Sequence, residues 1–346
     1  MNNELHSVEM IERGNNNQRG NLLGIQSFMT TADYVSGAAF FAKLNSYLES
    51  ANQRGWINER TIVIWPEYIG AWLVIAGESR RVYEAENLND AMLALALRHI
   101  PQLVIGLLSA KEKDKLAASL FRTKAASMAT LYHSTFSALA KKYSATIVAG
   151  SILLPAPKVR DGIIIAGKGS LYNVSAVYKS NGLAYPNLTY KLFPIASELD
   201  FVAAAPTNEF FPAFDTPAGR LGVMVCADSW YPEPYQKLKS QNVDFIAVPS
   251  YIPESDVWDK PWQGYTGASA PEDVDKADVG RLTEGQGWKR YALSGRIQQA
   301  GTKSGMTVFL RGSLWNLHTD GRSILAVNGD AMEVKSNEAA IINLWL

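Results

Sequence analysis

The segment TIVIWPE, Thr61–Glu67, limits the folds open to this chain more than any other stretch. Thr61 to Ile64 are all β-branched, with no polar residue at alternate positions. Such a run suits a strand covered on both faces, not one with a wet side. Pro66 stops it, because proline has no N–H to donate and keeps the residue before it extended. The pattern recurs in NLLGIQSF (Asn21–Phe28), QLVIGLL, ATIVAGSILL, RLGVMVC, MTVFLRG, SILAV and AAIINLWL, each of which reads as a strand. Between some of them lie segments with apolar residues at helical spacing: YVSGAAFFAKLNSYLESANQRG, NDAMLALALRHI and WKRYALSGRIQQAGTKSG. LAASLFRTKAASMATLYHSTFSALAKKYS reads as one long amphipathic helix with room for a single break. The alternation predicts an α/β fold with covered, largely buried strands.

The middle of the chain differs. LYNVSAVYKSNGLAYPNLTYK puts Asn181-Gly182 between alternating segments, a hairpin signal, and FFPAFDTPAGRLGVMVC predicts a second hairpin turning at Thr216–Gly219. From about Tyr251 to Gly287 the chain is rich in Pro, Gly, Asp and Trp and reads as a long excursion. No internal repeat, low-complexity tract or linker divides it. A polar leader over residues 1–20 and a single domain over residues 21–346 are expected.

Composition removes several function classes. Lys+Arg and Asp+Glu are equal at 33 each, so no net field recruits nucleic acid or an anionic membrane. One cysteine makes no intrachain disulfide and no Cys-based metal site. The leader, MNNELHSVEMIERGNNNQRG, lacks the apolar core of a signal peptide, and no run reaches the roughly 18 apolar residues of a spanning helix. A cytoplasmic protein with no nucleic-acid or membrane partner is expected.

The single cysteine, Cys226, stands where the apolar run RLGVMV ends. Alone it reads as a small buried hydrophobe. A nucleophilic thiol needs a sharp turn, a proton acceptor and donors for an oxyanion. The turn is legible: a helix is expected to start near Pro232, with Glu233 in its first turn and Asp228 and Ser229 bracing the bend. Backbone N–H groups after Cys226 then point toward an anion at the sulfur. Elsewhere Glu67 follows TIVIWP directly, Lys191 closes LAYPNLTYK, and Glu198 lies seven residues beyond Lys191. Each of these charged residues, taken singly, reads as solvated surface.

Taken together, IWPEYIGAW, LTYKLFPIASELDF and GVMVCADSWYPE resemble the nitrilase superfamily of carbon–nitrogen hydrolases, which carries Glu, Lys and Cys in that chain order. The last stretch matches the family's Cys-x-Asp-x-x-aromatic-Pro-Glu pattern at Cys226, Asp228, Tyr231, Pro232 and Glu233. The order of elements follows the family from Asn21 to about Ala326. The resemblance implies an α-β-β-α sandwich, commonly paired into a homodimer or higher homo-oligomer, and no metal or organic cofactor. It implies Glu67 as general base, Cys226 as nucleophile, and Lys191 with the Ala227 N–H as oxyanion donors. Glu198 is implied as the second carboxylate, which orients the lysine and the attacking water. The lysine beside the thiol favours thiolate, while Glu67 opposes ionisation and can still accept the proton.

Two positions depart from the family. Ala227 stands where Tyr or Trp is often found, and Trp230 where Arg is common. Ala227, Trp230 and Tyr231 are therefore expected in an enlarged or reshaped substrate pocket, with Trp258, Trp262 and Tyr265 of the excursion either lining it or pinning the loop. Cleavage of a small non-peptide amide through a thioester is the expected chemistry. An N-acyltransferase or nitrilase using the same Cys226 and a catalytically silent binding or assembly module are the alternatives. A Cys–His hydrolase lacks a matching motif around His6, His99, His133 or His318, and GKGSLYN is not a phosphate-binding loop. Membrane-bound acyltransferases of the same catalytic layout carry spanning helices, which are not found in this sequence.

Overall fold

A strand that is apolar on both faces needs a core on each side. The computed structural model describes residues 8–206 and 211–346. In chain order, the strands of its two large sheets are β1 (Glu9–Arg13), β2 (Asn21–Gln26), β3 (Thr61–Ile64), β4 (Thr146–Val148), β5 (Val177–Tyr178) and β6 (Ala213–Thr216). They continue with β7 (Gly219–Val223), β8 (Phe245–Ser250), β9 (Ser304–Phe309), β10 (Ile324–Val327), β11 (Asp330–Glu333) and β12 (Ala340–Trp345). One six-stranded sheet runs β1-β12-β2-β3-β4-β5 and the other β6-β7-β8-β9-β10-β11. β2, β3 and β4 are parallel neighbours, as are β7, β8 and β9.

The sheets pack face to face, and the side-chain alternation within each strand serves two cores. Ile62 and Ile64 of β3 meet Leu221, Val223 and Met306 of the opposite sheet. Val63 and Trp65 turn the other way, toward Phe136 and Leu139. Each such side chain is worth about 1.5–3 kcal/mol when taken fully from water. Gly24 of β2 marks a close approach between the sheets: a Cβ there would lie 2.2 Å from Met306 Sδ and 3.0 Å from Val308 Cγ2. Any larger residue would require the Met306 side chain to move.

Helices form the outer layers. Those of eight residues or more are α1 (Gly37–Gln53), α2 (Leu88–Arg98), α3 (Ile100–Ser109), α4 (Lys115–Tyr143), α5 (Pro232–Lys239) and α6 (Glu284–Tyr291). α1 and α4 cover the first sheet through Phe40, Leu44, Met128 and Phe136. α5 and the turn at Leu293–Ile297 cover the second through Tyr235, Leu238, Leu293 and Ile297. The architecture is the α-β-β-α sandwich that the resemblance implied.

Several local expectations change. QLVIGLL is not a strand but part of α3, which has Pro101 in its first turn. A short apolar run fits either element by periodicity, and proline's fixed φ and absent N–H suit a helix start. α4 runs unbroken over 29 residues. ATIVAGSILL divides into β4 and a second strand, Ile152–Pro155, with Gly150 at φ +63° between them. The Asn181-Gly182 turn forms, but its hairpin reduces to the bridge Tyr178–Ala184. The strand that follows, Thr189–Tyr190, pairs instead with Leu171–Ser175 in a three-stranded sheet. The hairpin at Thr216–Gly219 joins β6 to β7 as expected, although Phe210 before it lies outside the described residues. Within the polar leader, β1 pairs in parallel with β12 at the sheet edge; residues 1–7, His6 included, lie outside the described residues. Among the described residues no single helix is long and apolar enough to cross a membrane.

Candidate active site

Side chains at the carboxyl ends of parallel strands meet in crevices beyond the sheet, where α/β folds place their ligands. β7 ends at Val223, and three residues later the chain turns sharply with Cys226 at φ +49°. A non-glycine residue in that left-handed region costs on the order of 1–3 kcal/mol unless its surroundings hold it. Asp228 holds it. Its Oδ2 accepts from Val225 N at 3.1 Å, and its Oδ1 accepts from Leu192 N and Phe193 N, both at 2.9 Å. One buried carboxylate thus ties the cysteine turn to the segment that begins at Lys191. Burial pushes the Asp228 carboxyl up to about 7, against these backbone donors and the Lys191 charge. Ser229 Oγ closes the turn by donating to Cys226 O at 2.7 Å. α5 then starts at Pro232 with Glu233 in its first turn, as expected.

Glu67 follows β3 and Pro66. The next residue, Tyr68, is also left-handed at φ +61°, with its N–H donating to Ser151 Oγ at 2.9 Å. The carboxylate is buried, at 1% exposure. Lys191, at 2% exposure, donates to Glu67 Oε1 at 2.8 Å and to Glu198 Oε2 at 2.6 Å. The structure therefore brings Glu67, Lys191 and Glu198 into one buried ion cluster, although Glu198 reads from composition alone as surface.

Three partners of this cluster escaped the sequence reading. Asn173, on strand Leu171–Ser175, donates from Nδ2 to Glu67 Oε1 at 2.8 Å and to Glu198 Oε1 at 3.2 Å. Tyr68 OH donates to Glu198 Oε1 at 2.8 Å, and Ile195 N donates to Glu198 Oε2 at 3.0 Å. A polar residue on the inward phase of LYNVS was the only available hint of Asn173.

The electrostatics follow from burial and charge count. Burial lowers the Lys191 ammonium, but Glu198 and Glu67 outweigh it and hold its pKa well above the usual value. Burial raises Glu198, yet Lys191 and the donors from Ile195 and Tyr68 keep it below the usual carboxylate value. Glu67 shares the same cation less favourably, and burial pushes it to about 7 despite Lys191. Burial, then the charge of Glu67, push the Cys226 thiol well above its usual value, with Lys191 opposing. Lysine's pull toward thiolate therefore loses. The resting cluster is a thiol, one firm carboxylate–ammonium pair, and a carboxyl poised near neutrality. Cys226 Sγ contacts Tyr251 O at 3.8 Å.

Cys226 opens onto a cavity of about 350 Å³ that Ala227, Trp230, Tyr231, Trp262 and Tyr265 help to line. The expected pocket residues are thus assembled, with one division of labour in the excursion. Trp262 and Tyr265 face the cavity; Trp258 pins the loop instead, its N–H to Asp320 Oδ2 at 2.7 Å and its indole to Glu333 Oε1 at 3.1 Å. Tyr265 OH donates to Trp230 O at 3.0 Å, and Ala196 N donates to Thr266 Oγ1 at 3.0 Å. The excursion is clamped to both the cysteine turn and the lysine segment. Gly267, at φ +91°, allows this, since a Cβ would lie 2.3 Å from Pro194 O. No histidine lines the cavity among the described residues: His99 pairs with Glu78 at 2.9 Å and His133 contacts Tyr178 OH at 3.3 Å. Nor does any group of three or more His, Cys, Asp or Glu side chains there suit a metal ion.

The family model described as carbon-nitrogen hydrolase matches residues 29–270. Comparison with curated protein sequences finds no match. Solved structures of an amidase from Nesterenkonia sp. AN1 are similar in fold. A mutant that has undergone Michael addition of acrylamide at its active-site cysteine aligns with TM-score 0.58 and 11% identity, over 94% of this chain and 92% of that one. A cysteine mutant in complex with butyramide aligns with TM-score 0.57 and 11% identity, over 95% of this chain and 91% of that one. A third structure of an amidase from Nesterenkonia sp. aligns with TM-score 0.58 and 12% identity, over 97% and 92%.

Proposed function

The chain belongs to the carbon-nitrogen hydrolase family, and on that premise we propose that it cleaves a small non-peptide amide through a thioester on Cys226. The observation that carries this reading is the buried Glu67–Lys191–Glu198 cluster beside a strained thiol turn that opens onto a cavity. In the proposed cycle Glu67 takes the thiol proton as Sγ bonds to the amide carbonyl carbon. Lys191 and the Ala227 N–H stabilise the oxyanion, the largest electrostatic demand of such a step. Collapse breaks the C–N bond, and the proton on Glu67 leaves with ammonia or amine. Water, deprotonated by the same carboxylate, then opens the thioester, releases the acid and restores the thiol. A thiol that rests protonated needs its base within reach at the moment of attack, and Glu67, poised near 7, suits that part.

Intact-mass analysis tests the proposal. After rapid acid quench from a mixed pool of small amides, the protein is expected to carry one acyl group, mapped to Cys226 by peptide digestion. Turnover of an amide with no adduct on Cys226 under any quench condition would exclude the thioester route.

The pH profile supplies a second test. Because Glu67 must be ionised to act as base, kcat/KM is expected to rise as pH approaches about 7 and then level off. Asn173→Ala removes a donor from that carboxylate, which disfavours the charged form, so the acid limb is expected to shift to higher pH. A limb left in place would show that Asn173 does not tune Glu67.

A further inference from the structure

The cavity beyond Cys226 contains a carboxylate that the proposed cycle does not use. Glu284 opens α6 and lines the cavity with the rings of Trp230, Tyr231, Trp262, Tyr265 and Trp288. Its Oε1 accepts from Trp288 Nε1 at 3.1 Å, one helical turn along. Three other carboxylates around the excursion are neutralised by cations. Asp273 holds Arg296, Asp278 holds Arg281 and Arg290, and Glu333 holds Lys289 and Arg322. Among the described residues Glu284 has no ion pair, and the two other charged side chains lining the same cavity, Glu254 and Lys260, are exposed. An acid in the first helical turn is ordinary where it faces water. This one is instead turned into an aromatic chamber.

Aromatic faces attract cations and give nothing to anions, and a partly buried carboxylate paired only with a neutral indole N–H favours a positive charge brought to it. The Trp230 and Trp262 rings stack at 5.4 Å and Trp288 meets Trp230 edge-on at 5.0 Å, so the chamber wall is a cluster of mutually supported rings. We infer that this pocket selects amides whose acyl part ends in a cationic group, with Glu284 as the residue that recognises the charge. The inference rests on the amidase reading for the position of the scissile bond, but the recognition it assigns can be measured by binding alone.

The probes are γ-trimethylammonio-butanamide and its neutral isostere with a tert-butyl group in place of the trimethylammonium, each with homologues one methylene shorter and longer. Calorimetry on Cys226→Ala protein removes turnover from the measurement. Burial pushes the Glu284 carboxyl up to about 7, with Glu254 adding to the shift, so binding is measured above that pH. The cationic series is expected to bind about tenfold more tightly or better. Adding Glu284→Gln, which keeps the shape and removes the charge, is expected to bring the ratio close to one. Equal or tighter binding of the neutral series, a ratio indifferent to Glu284→Gln, or no binding by either series overturns the inference. Cys226 acylation by uncharged amides, together with any of those results, would leave the amidase reading standing while this one fails. Selective binding of the cation, with no acylation of wild-type protein by any amide, would do the reverse.

Discussion

Cys226→Ala protein is expected to fold normally and to release no ammonia or amine from an amide that the wild type cleaves. Its kcat should fall by at least about 10⁴-fold, the scale on which a covalent nucleophile's loss is felt. The fold should tolerate the change. The substitution removes one sulfur beside an existing cavity, a cost of about 1 kcal/mol or less. The sulfur's contact with Tyr251 O is long, and the bonds from Lys191 to Glu67 and Glu198 do not run through the thiol, so the ion cluster stays paired. The turn at Cys226 is held by Asp228 and Ser229, not by the thiol. Thermal melting and steady-state kinetics on the same preparation check both halves. Residual turnover above about one per cent of wild type in a folded sample would put the nucleophile elsewhere.

How much of this site was readable beforehand depended on where each residue sat in its local pattern. Glu67 and Cys226 were legible because each ends an apolar run, so the strand that buries the core also delivers the chemistry. Lys191 and Glu198 came with the family resemblance of LTYKLFPIASELDF, not with any charge pattern that distinguishes them from surface residues. Asn173 and Glu67 are 106 positions apart and meet only in the folded chain, a contact that no local pattern encodes. Glu284 was hidden differently: in EGQGWKRY it looks like any acid opening a helix, and only the folding of the excursion turns it inward. At the level of the fold, doubly apolar strands announced two cores, yet the same apolarity misled at QLVIGLL, where Pro101 was the better guide. β1 went unseen because a polar strand at a sheet edge has one ladder partner and little core to bury.

Lys191→Met is expected to cost both activity and stability, and the pH dependence of the stability loss separates charge from shape. The ammonium sits between Glu67 and Glu198, all three buried. Methionine fills much the same volume, so packing changes little, but two carboxylates then face each other without a cation. Breaking one member out of a buried ionic set typically costs about 3–5 kcal/mol. The folded protein can relieve part of that by holding a proton on one carboxyl, which raises its folded-state pKa above the unfolded value. A group raised in this way binds more protons folded than unfolded, so stability is retained below the unfolded pKa and lost as pH rises through the folded one. The melting temperature of Lys191→Met should therefore approach that of wild type near about pH 5 and fall away from it toward about pH 8. Adding Glu198→Gln removes one of the opposed charges, and should recover much of the lost stability at the higher pH while restoring no turnover, because the oxyanion donor proposed above is still missing. A single variant as stable as wild type across that range would mean that the lysine does not neutralise the pair.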